Sequence, residues 1–496
     1  MIKSIFIGQR RSGLAKEKRK LSKHAENKWI ILALLAMAQF MVVVDVTVVN
    51  VALPSMAQAL HFSAGNLQWV ITAYTLTFGG FLLLGGRAAD IYGRRNIFIF
   101  AVAFFALMSF LCGMAATDTQ VIIARAAQGL AAAIMSPAAL SIVISEFKEG
   151  KERNTALGAW SAVAAGGSGF GLLLGGILTQ YLSWRWNFFV NVPVGIGVVY
   201  FAMKILPRHI GEENKKLRLD LPGATLATGG LMSLVYGLSQ APSHGWGSTT
   251  VIGFIIASIV LLTSFVFNEA RTAQPMLPLR LFRIRNVSGG NATALAIACT
   301  LFSMFFFMTL YVQTVLGYGP AKSGVSFLIV TLVIGATSAF VAKMVNKVGY
   351  KPFLVAGPTV LAIGLYTISV LMKVGGHYWQ NVFPGLVIIA LGMGLSFISM
   401  TLAATSGVPK HFSGIASGVL NTSQQIGGAL GLAVLSAIYA STLKSDLSAR
   451  VAANSAKIHG FQNGLHVGVG LAVAAAVIAL LVVKNEKVKP SISAGV

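Results

Sequence analysis

Long apolar runs separated by short polar stretches dominate this chain. Fourteen such runs lie near residues 29–53, 66–86, 97–116, 120–145, 155–180, 187–206, 221–240, 250–268, 287–315, 323–345, 352–373, 382–405, 413–441 and 465–484. An α-helix needs about 17 to 25 predominantly apolar residues to cross the hydrocarbon core of a bilayer. The pattern therefore predicts an all-α polytopic membrane protein with fourteen transmembrane helices.

The composition agrees with this interpretation. Hydrophobic residues make up 55% of the chain and charged residues 10%, and the mean hydropathy is +0.76. Soluble domains carry about 25% charged residues. The formal net charge of +24 does not indicate nucleic acid, because the basic residues fall between apolar runs and do not alternate with aromatic ones. No cluster of Cys, His and Asp has metal-ligand spacing, so no metal site is expected.

The basic residues also predict the orientation of the chain. Counted by loops, 31 Lys and Arg lie on the side that holds the N-terminus and six lie on the other side. Cytoplasmic loops carry the excess of Lys and Arg in membrane proteins. We therefore expect a multi-pass protein of the cell membrane with both termini in the cytoplasm. Residues 1–28, with nine Lys or Arg, are expected to form a basic cytoplasmic tail and not a signal peptide.

An internal repeat predicts how the helices are grouped. The loops "GRAADIYGRR" (86–95) and "AKMVNKVGYK" (342–351) align with Gly93 on Gly349 and Asp90 on Asn346. If helices 7 and 8 are an insertion, these are the same loop of two six-helix halves, which is a transporter architecture. The predicted divisions are the tail 1–28, an N-terminal bundle 29–206, a linker with two inserted helices 207–286, a C-terminal bundle 287–484 and a tail 485–496.

Two ionisable residues are predicted to lie inside spans. Asp45 interrupts "MVVVDVTVVN", and Arg125 begins "RAAQGLAAA", with Gln128 one helical turn later. A charge at the centre of a bilayer costs roughly 2.5 to 3.5 kcal/mol on insertion scales. Both residues should lie in the outer half of the membrane at similar depth, so we expect Asp45 and Arg125 to pair. The alternative is a static ion pair that only fixes helix packing.

Several motifs resemble the major facilitator superfamily. "GRAADIYGRR" resembles its signature between helices 2 and 3, and "RAAQGLAAA" its helix-4 antiporter signature. Further matches are "DVTVVNVALP", "SWRWNFFVNVPVG", "YVQTVLGY" and "GIASGVLNTSQQIGGALG", in the order typical of the fourteen-helix drug:proton antiporter subfamily of multidrug exporters. "SWRWNFFVNVPVG" itself is interpreted as a structural turn between helices 5 and 6.

The resemblance implies two further functional motifs. The first is a cytoplasmic gate in which an acid and its basic neighbours form a breakable latch; it comprises Gly86, Arg87, Asp90, Gly93, Arg94 and Arg95. The second is the helix-5 antiporter motif, represented here by Gly167, Gly171, Gly175 and Gly176. Leu172 occupies the position of that motif's proline, so the kink that proline would introduce is not expected.

Together these features predict a transporter that exports amphipathic, often cationic drugs in exchange for protons by alternating access. The proton is the coupling ion and no other cofactor is expected. The expected partners are such small molecules, protons and the lipid bilayer, with no nucleic acid, and the protein is expected to be a monomer. Candidate cavity residues are Met37 and Met41 on the Asp45 face, and Gln313, Gln424 and Gln425, which could equally bond between helices. The alternatives are a dedicated exporter of one metabolite, antibiotic, siderophore or lipid, and a membrane enzyme or receptor, for which the sequence offers neither a catalytic cluster nor a sizeable soluble domain.

Overall fold

The computed structural model describes residues 2–63, 66–147, 150–207, 219–409 and 412–486, with residues 2–27 as backbone alone. Regular secondary structure in these ranges is helical throughout. The helices are α1 (Ile2–Ala59), α2 (Trp69–Tyr92), α3 (Arg94–Met114), α4 (Asp118–Glu146), α5 (Lys151–Tyr181), α6 (Trp186–Phe189), α7 (Asn191–Ile205), α8 (Leu221–His244), α9 (Thr249–Arg271), α10 (Arg285–Thr314), α11 (Pro320–Ser326), α12 (Leu328–Val348), α13 (Lys351–Leu371), α14 (Tyr378–Asn381), α15 (Phe383–Thr405), α16 (Ser413–Ser448) and α17 (Ala453–Val482).

These helices account for every predicted span. Within the described ranges, thirteen segments are long and apolar enough to cross a membrane. The 31-residue α5 brings the number to fourteen. Two spans are broken by a short turn, between α6 and α7 and between α11 and α12. The first span, Lys28–Ala59, is the end of α1, which is already helical through the predicted N-terminal tail. Of the predicted C-terminal tail, residues 487–496 lie outside the described residues.

The helices pack as two groups with an additional pair between them. In the first group α2 packs on α4 and α1 on α5, and in the second α13 packs on α15 and α10 on α16. The pair α8 and α9 pack on each other, and α8 also contacts both α2 and α16. The inserted helices therefore touch both halves of the bundle at one seam.

The two ends of the bundle differ in how the halves meet. We call the end that holds Lys28, the α2–α3 turn and the α9–α10 linker the basic face, and the other end the opposite face. At the opposite face Gln313 of α10 donates to the carbonyl oxygen of Val51 at 2.9 Å, and Gln180 of α5 accepts from Ala321 N–H at 3.0 Å. One large hydrophobic cluster draws on both halves, a small one joins α2, α8 and α16, and two others belong to one half each. These bonds join the halves at the opposite face, and α2 also meets α16, where Oγ1 of Thr422 donates to the carbonyl oxygen of Gly79 at 3.1 Å.

Candidate functional site

Asp45 lies in the interior of the first half and is completely buried. Its Oδ2 accepts a hydrogen bond from Nη1 of Arg125 at 2.5 Å. Its Oδ1 accepts from Nε2 of Gln128 at 2.8 Å and from Nδ2 of Asn191 at 3.0 Å. The structure thus brings together the three residues that the sequence placed at this site. α1 supplies the acid, α4 supplies the base and an amide, and α7 supplies a second amide.

Arg125 is held on every side by groups that suit a cation. Its Nε donates to the carbonyl oxygen of Val70 at 3.0 Å, and its Nη1 also donates to Oε1 of Gln128 at 2.8 Å. The guanidinium carbon lies 4.2 Å from the centre of the Tyr74 ring, within the range of a cation–π interaction. Arg125 is 1% exposed, and its charge is balanced by Asp45 and these dipoles.

Close helix contact makes this arrangement possible. Gly129, one residue after Gln128, faces the backbone of Tyr74 so closely that a Cβ atom would collide with the Tyr74 carbonyl oxygen. Glycine at this position therefore lets α4 approach α2 and presses the Arg125 side chain against Val70 and Tyr74. The glycine of "RAAQGLAAA" thus has a direct structural role in the site.

Asn191 is a site residue that sequence reasoning missed. It lies in "SWRWNFFVNVPVG", which was interpreted as a structural turn, yet its side chain donates to both Asp45 and Oγ of Ser109. Ser109 in turn donates to the carbonyl oxygen of Phe188 at 2.8 Å. The turn places Asn191 at the start of α7, facing α1, and that is why a residue so far along the chain reaches the acid. An amide inside the predicted span 187–206 was the available signal.

The network allows one simple chemical change. In this arrangement the carboxylate accepts from three donors, one of them cationic, so it is bound as the charged form. A proton on Asp45 would remove the charge that balances Arg125 and turn one acceptor oxygen into a donor. Such a change forces the surrounding donors to rearrange. Protonation of Asp45 would therefore disturb the bonds that join α1 to α4 and α7.

The α2–α3 motif forms three separate contacts at the basic face. Asp90 accepts from Arg94 at 3.0 Å, and Arg94 also donates to the carbonyl oxygen of Ser141 on α4 at 3.4 Å. Arg95 donates to the carbonyl oxygens of Met203 and Leu206 at the end of α7. The motif therefore ties α2, α3, α4 and α7 together.

Arg87 reaches outside this half. It donates to the carbonyl oxygens of Gln274 and Pro275 at 2.6 and 3.3 Å and to Oε1 of Gln274 at 3.0 Å. These residues belong to the linker between α9 and α10. Gly86 faces Pro137 of α4, and a Cβ atom added to Gly86 would lie 3.5 Å from the Pro137 side chain, in ordinary van der Waals contact.

The two repeated loops have the same backbone geometry. Gly93 has φ of 90° and Gly349 has φ of 84°, in the region that favours glycine. Each glycine ends one long helix, α2 or α12, just before the next begins. The aligned glycines are thus explained by the same sharp turn.

The helix-5 glycines bring α5 close to α1 and to the second half. Gly167, Gly171 and Gly175 face α1, around Val43, Thr47 and Val48, whereas Gly176 faces the backbone of Pro320 in α11. Leu172 is 3% exposed, and its carbonyl oxygen faces Gly324 of α11. α5 continues as one helix from Lys151 to Tyr181. Leu172 therefore seals the seam between the halves where the motif's proline would stand.

The candidate cavity residues occupy different places. Met41 is 2% exposed and belongs to the hydrophobic core of the first half. Met37 is 47% exposed. Gln313 bonds between the halves, and Gln424 donates to the sulfur of Met400 at 3.6 Å. Gln425 lies against Gly79 of α2, at the seam between the halves.

Comparison with known proteins places this architecture in a family. The model of the Major Facilitator Superfamily matches residues 35–432. The chain belongs to the Major Facilitator Superfamily. It is therefore a multi-pass membrane transporter, in agreement with its fold and its paired halves.

The relatives of this transporter include several exporters. It is 37% identical over 465 residues to the puromycin resistance protein pur8 of Streptomyces alboniger, and the match covers 92% of each chain. It is 41% identical over 408 residues to the cephamycin export protein CmcT of Amycolatopsis lactamdurans, covering 82% of this chain and 83% of that one. It is 32% identical to the tetracenomycin C resistance and export protein of Streptomyces glaucescens, covering 83% and 76%.

Solved structures show the same fold at low sequence identity. The transporter PepTSo of the POT family has a TM-score of 0.67 and 16% identity, with 92% of this chain and 97% of that chain covered. A bacterial homologue of the human lysosomal transporter Spinster, solved in an inward-facing and occupied conformation, has a TM-score of 0.62 and 18% identity, with 91% and 96% covered.

Proposed function

We propose that this transporter exports amphipathic, often cationic antibiotics in exchange for protons by alternating access. Asp45 carries the proton, and Arg125 holds the carboxylate in its charged form until the proton arrives. The observation that carries the proposal is the fully buried cluster of Asp45, Arg125, Gln128 and Asn191. Relatives whose names record resistance to or export of puromycin, cephamycin and tetracenomycin supply the substrate class.

The burial of Asp45 favours a proton over the drug as its direct ligand. Its two oxygens are occupied by side chains of α4 and α7, and the residue has no exposed surface. A bulky cation would have to separate α1 from α4 to reach it, whereas a proton needs no such space. Drug and proton would then not bind at the same atom. Each would instead favour a different arrangement of the helices around Asp45, and in that way oppose the binding of the other.

The contact between the halves supports loading from the basic face. The halves meet at the opposite face through Gln313, Gln180 and the shared hydrophobic cluster. The basic face carries the excess of Lys and Arg, and we assign it to the cytoplasm under the positive-inside rule. In this conformation a drug from the cytoplasm or the inner leaflet would enter between the halves.

The proposal can be tested by proton release from everted membrane vesicles. Puromycin or the unrelated cation ethidium is added to energised vesicles, and the resulting loss of the proton gradient is followed with a fluorescent dye. Wild-type protein should give drug-dependent proton release. Asp45→Asn should abolish it, because an amide cannot exchange a proton in this range of pH.

A matched control is Asp118→Asn at the start of α4. This acid lies on the same helix as Arg125 but is bonded to its own neighbour, Thr119. Its replacement should leave drug-dependent release at the wild-type level. Unchanged release in Asp45→Asn would remove the assignment to Asp45. Export that survives collapse of the proton gradient by an ionophore would remove the proton coupling itself.

A dedicated exporter of one compound is the second candidate. Two of the relatives, pur8 and CmcT, are named after single antibiotics. Susceptibility of cells with and without the protein to chemically unrelated compounds separates the two. Protection against several classes supports multidrug export, and protection against one class supports the dedicated exporter.

A further inference from the structure

A second buried acid lies at the base of the inserted helix pair, far from Asp45 in the sequence. Glu269 is in the last turn of α9 and is 3% exposed, and Asp220, 5% exposed, precedes the first residue of α8. The two carboxyl groups converge on Gly223, where an added Cβ atom would lie 2.5 Å from Oδ2 of Asp220 and 2.8 Å from Oε1 of Glu269. Two carboxyl groups this close can form a hydrogen bond with each other only if one carries a proton, because ionised carboxylates only accept.

The remaining bonds show which oxygen needs that proton. Oε2 of Glu269 accepts from Leu277 N–H at 2.9 Å. Asp220 accepts from Gly223 N–H at 2.9 Å and from Nδ2 of Asn268 at 3.0 and 3.2 Å. Oε1 of Glu269 is buried, and among the described residues no N–H or hydroxyl donates to it. This oxygen lies on the same side of Gly223 as Oδ2 of Asp220.

The charges around the pair agree with one negative charge and not two. The nearby cation is Arg87 of α2, which binds the linker at Gln274 and Pro275 and whose charged form both acids favour. One guanidinium balances one carboxylate, so a second unprotonated acid would leave a buried negative charge without a partner. Burial opposes ionisation of Asp220, but the bonds from Gly223 and Asn268 outweigh it and hold the pKa of Asp220 below its usual range. Asp220 accepts three donated bonds and Glu269 accepts one, so Glu269 is the group that would carry a proton.

We propose that Asp220 and Glu269 hold one proton between them and form a second proton-binding site, beside Arg87 of the gate motif. The site joins the start of α8, the end of α9 and the linker that follows it. Arg87 donates hydrogen bonds to the same linker, at the carbonyl oxygens of Gln274 and Pro275. Loss of the proton creates two adjacent anions, which repel each other and loosen the linker from the base of α8. The gate motif of α2 is thereby coupled to the pH at the basic face.

Infrared spectroscopy tests the shared proton directly. The purified protein is examined near neutral pH for the carbonyl stretch of protonated carboxyl groups, with Glu269→Gln, Asp45→Asn and Asp118→Asn as variants. The band should be present in wild type, Asp45→Asn and Asp118→Asn and should be lost in Glu269→Gln. Glutamine has nearly the same volume as glutamic acid and can donate to Asp220, so the fold should persist. A spectrum of Glu269→Gln that retains the full wild-type band would overturn the proposal.

Cysteine labelling tests the coupling to the linker. Both native cysteines, Cys112 and Cys299, are buried, so Met276→Cys, at a position 7% exposed in the linker, provides a reporter. Its labelling rate is measured against pH in two backgrounds, wild type and Glu269→Gln. The ionisation of the introduced thiol affects both backgrounds alike, so the comparison removes its contribution. The rate should rise more steeply with pH in the wild-type background. Equal pH profiles in the two backgrounds would refute the coupling.

Where Glu269→Gln does not fold, Asp220→Asn replaces it, since asparagine also starts helices well. Loss of the infrared band in Asp220→Asn supports the shared proton, and its full retention overturns it. Neither measurement uses a drug, so failure of the proposed transport function leaves the outcome of this test unaffected.

Discussion

Removing one member of the Asp45–Arg125 pair should destabilise the protein more than removing both charges. The perturbation is a double-mutant cycle of Asp45→Asn, Arg125→Gln and the two combined. Both residues are at most 1% exposed, so a charge that loses its partner is not hydrated in the folded state. Breaking a buried pair by removing one member costs about 3 to 5 kcal/mol, whereas replacing both with neutral groups is often close to neutral. We expect a coupling free energy of about 3 kcal/mol.

The two single variants should also differ from each other. Asp45→Asn leaves a guanidinium that cannot be neutralised, supported by Val70, Gln128 and the Tyr74 ring. Arg125→Gln leaves a carboxylate that keeps its bonds from Gln128 and Asn191 and can take up a proton. Asp45→Asn should therefore be the less stable of the two. Acidification should recover stability in Arg125→Gln relative to wild type, and it should not do so in Asp45→Asn.

The assay is unfolding of the purified protein in mixed micelles by a denaturing detergent, followed by tryptophan fluorescence at two pH values. Asp118→Asn serves as the reference for removal of a half-exposed acid. Additive losses, with the double variant as unstable as the two single variants together, would refute the reasoning. The pair would then not be the unit that holds α1 to α4.

Three further outcomes are expected. Asn191→Ala should lower stability by about 1 to 3 kcal/mol and weaken drug-dependent proton release, because Asp45 loses a donor. The control is Asn187→Ala, which should leave the release unchanged, because the Asn187 side chain donates to Thr179 and not to Asp45. Gly129→Ala should cost about 1 to 3 kcal/mol in the same unfolding assay by forcing α4 from α2, whereas Gly158→Ala, with open space around it, should be neutral or slightly stabilising. Gln313→Leu should speed labelling of cysteines introduced at the opposite face, since it removes a bond between the halves; unchanged rates would contradict a role for this bond in closing that face.

The spans could be predicted from the sequence because a membrane helix must satisfy its backbone bonds internally within a continuous apolar run. The helix ends could not be predicted as well. α17 begins at Ala453, twelve residues before its apolar run at 465, and α16 extends to Ser448 beyond a run that ends at 441. These extensions carry polar and charged residues, among them Lys444, Asp446 and Lys457. Hydropathy does not distinguish such a helix from a loop.

The site was predictable where a charge had to be balanced and less so elsewhere. Asp45 and Arg125 could be paired from depth alone, since each is ionisable in an apolar span. Asn191 is neutral and its type is common at turns, so no energetic conflict drew attention to it. Glu269 lies one residue beyond the predicted end of its span at 268, and Asp220 lies before the preceding helix. Only the packing of α8 on α9 makes these two acids neighbours.

Helix α2 connects the two charged clusters physically. Near its start Val70 accepts from Arg125, and at its other end Arg87 binds the linker beside Asp220 and Glu269. Between them Gly79 lies against α16 and Gly80 against Thr228 of α8, so α2 also touches the second half and the inserted pair. A movement of α2 that breaks the contact with Val70 therefore also displaces Arg87. Protonation at either cluster would bias the same element, and that gives a physical route by which the two sites could act on one opening between the halves.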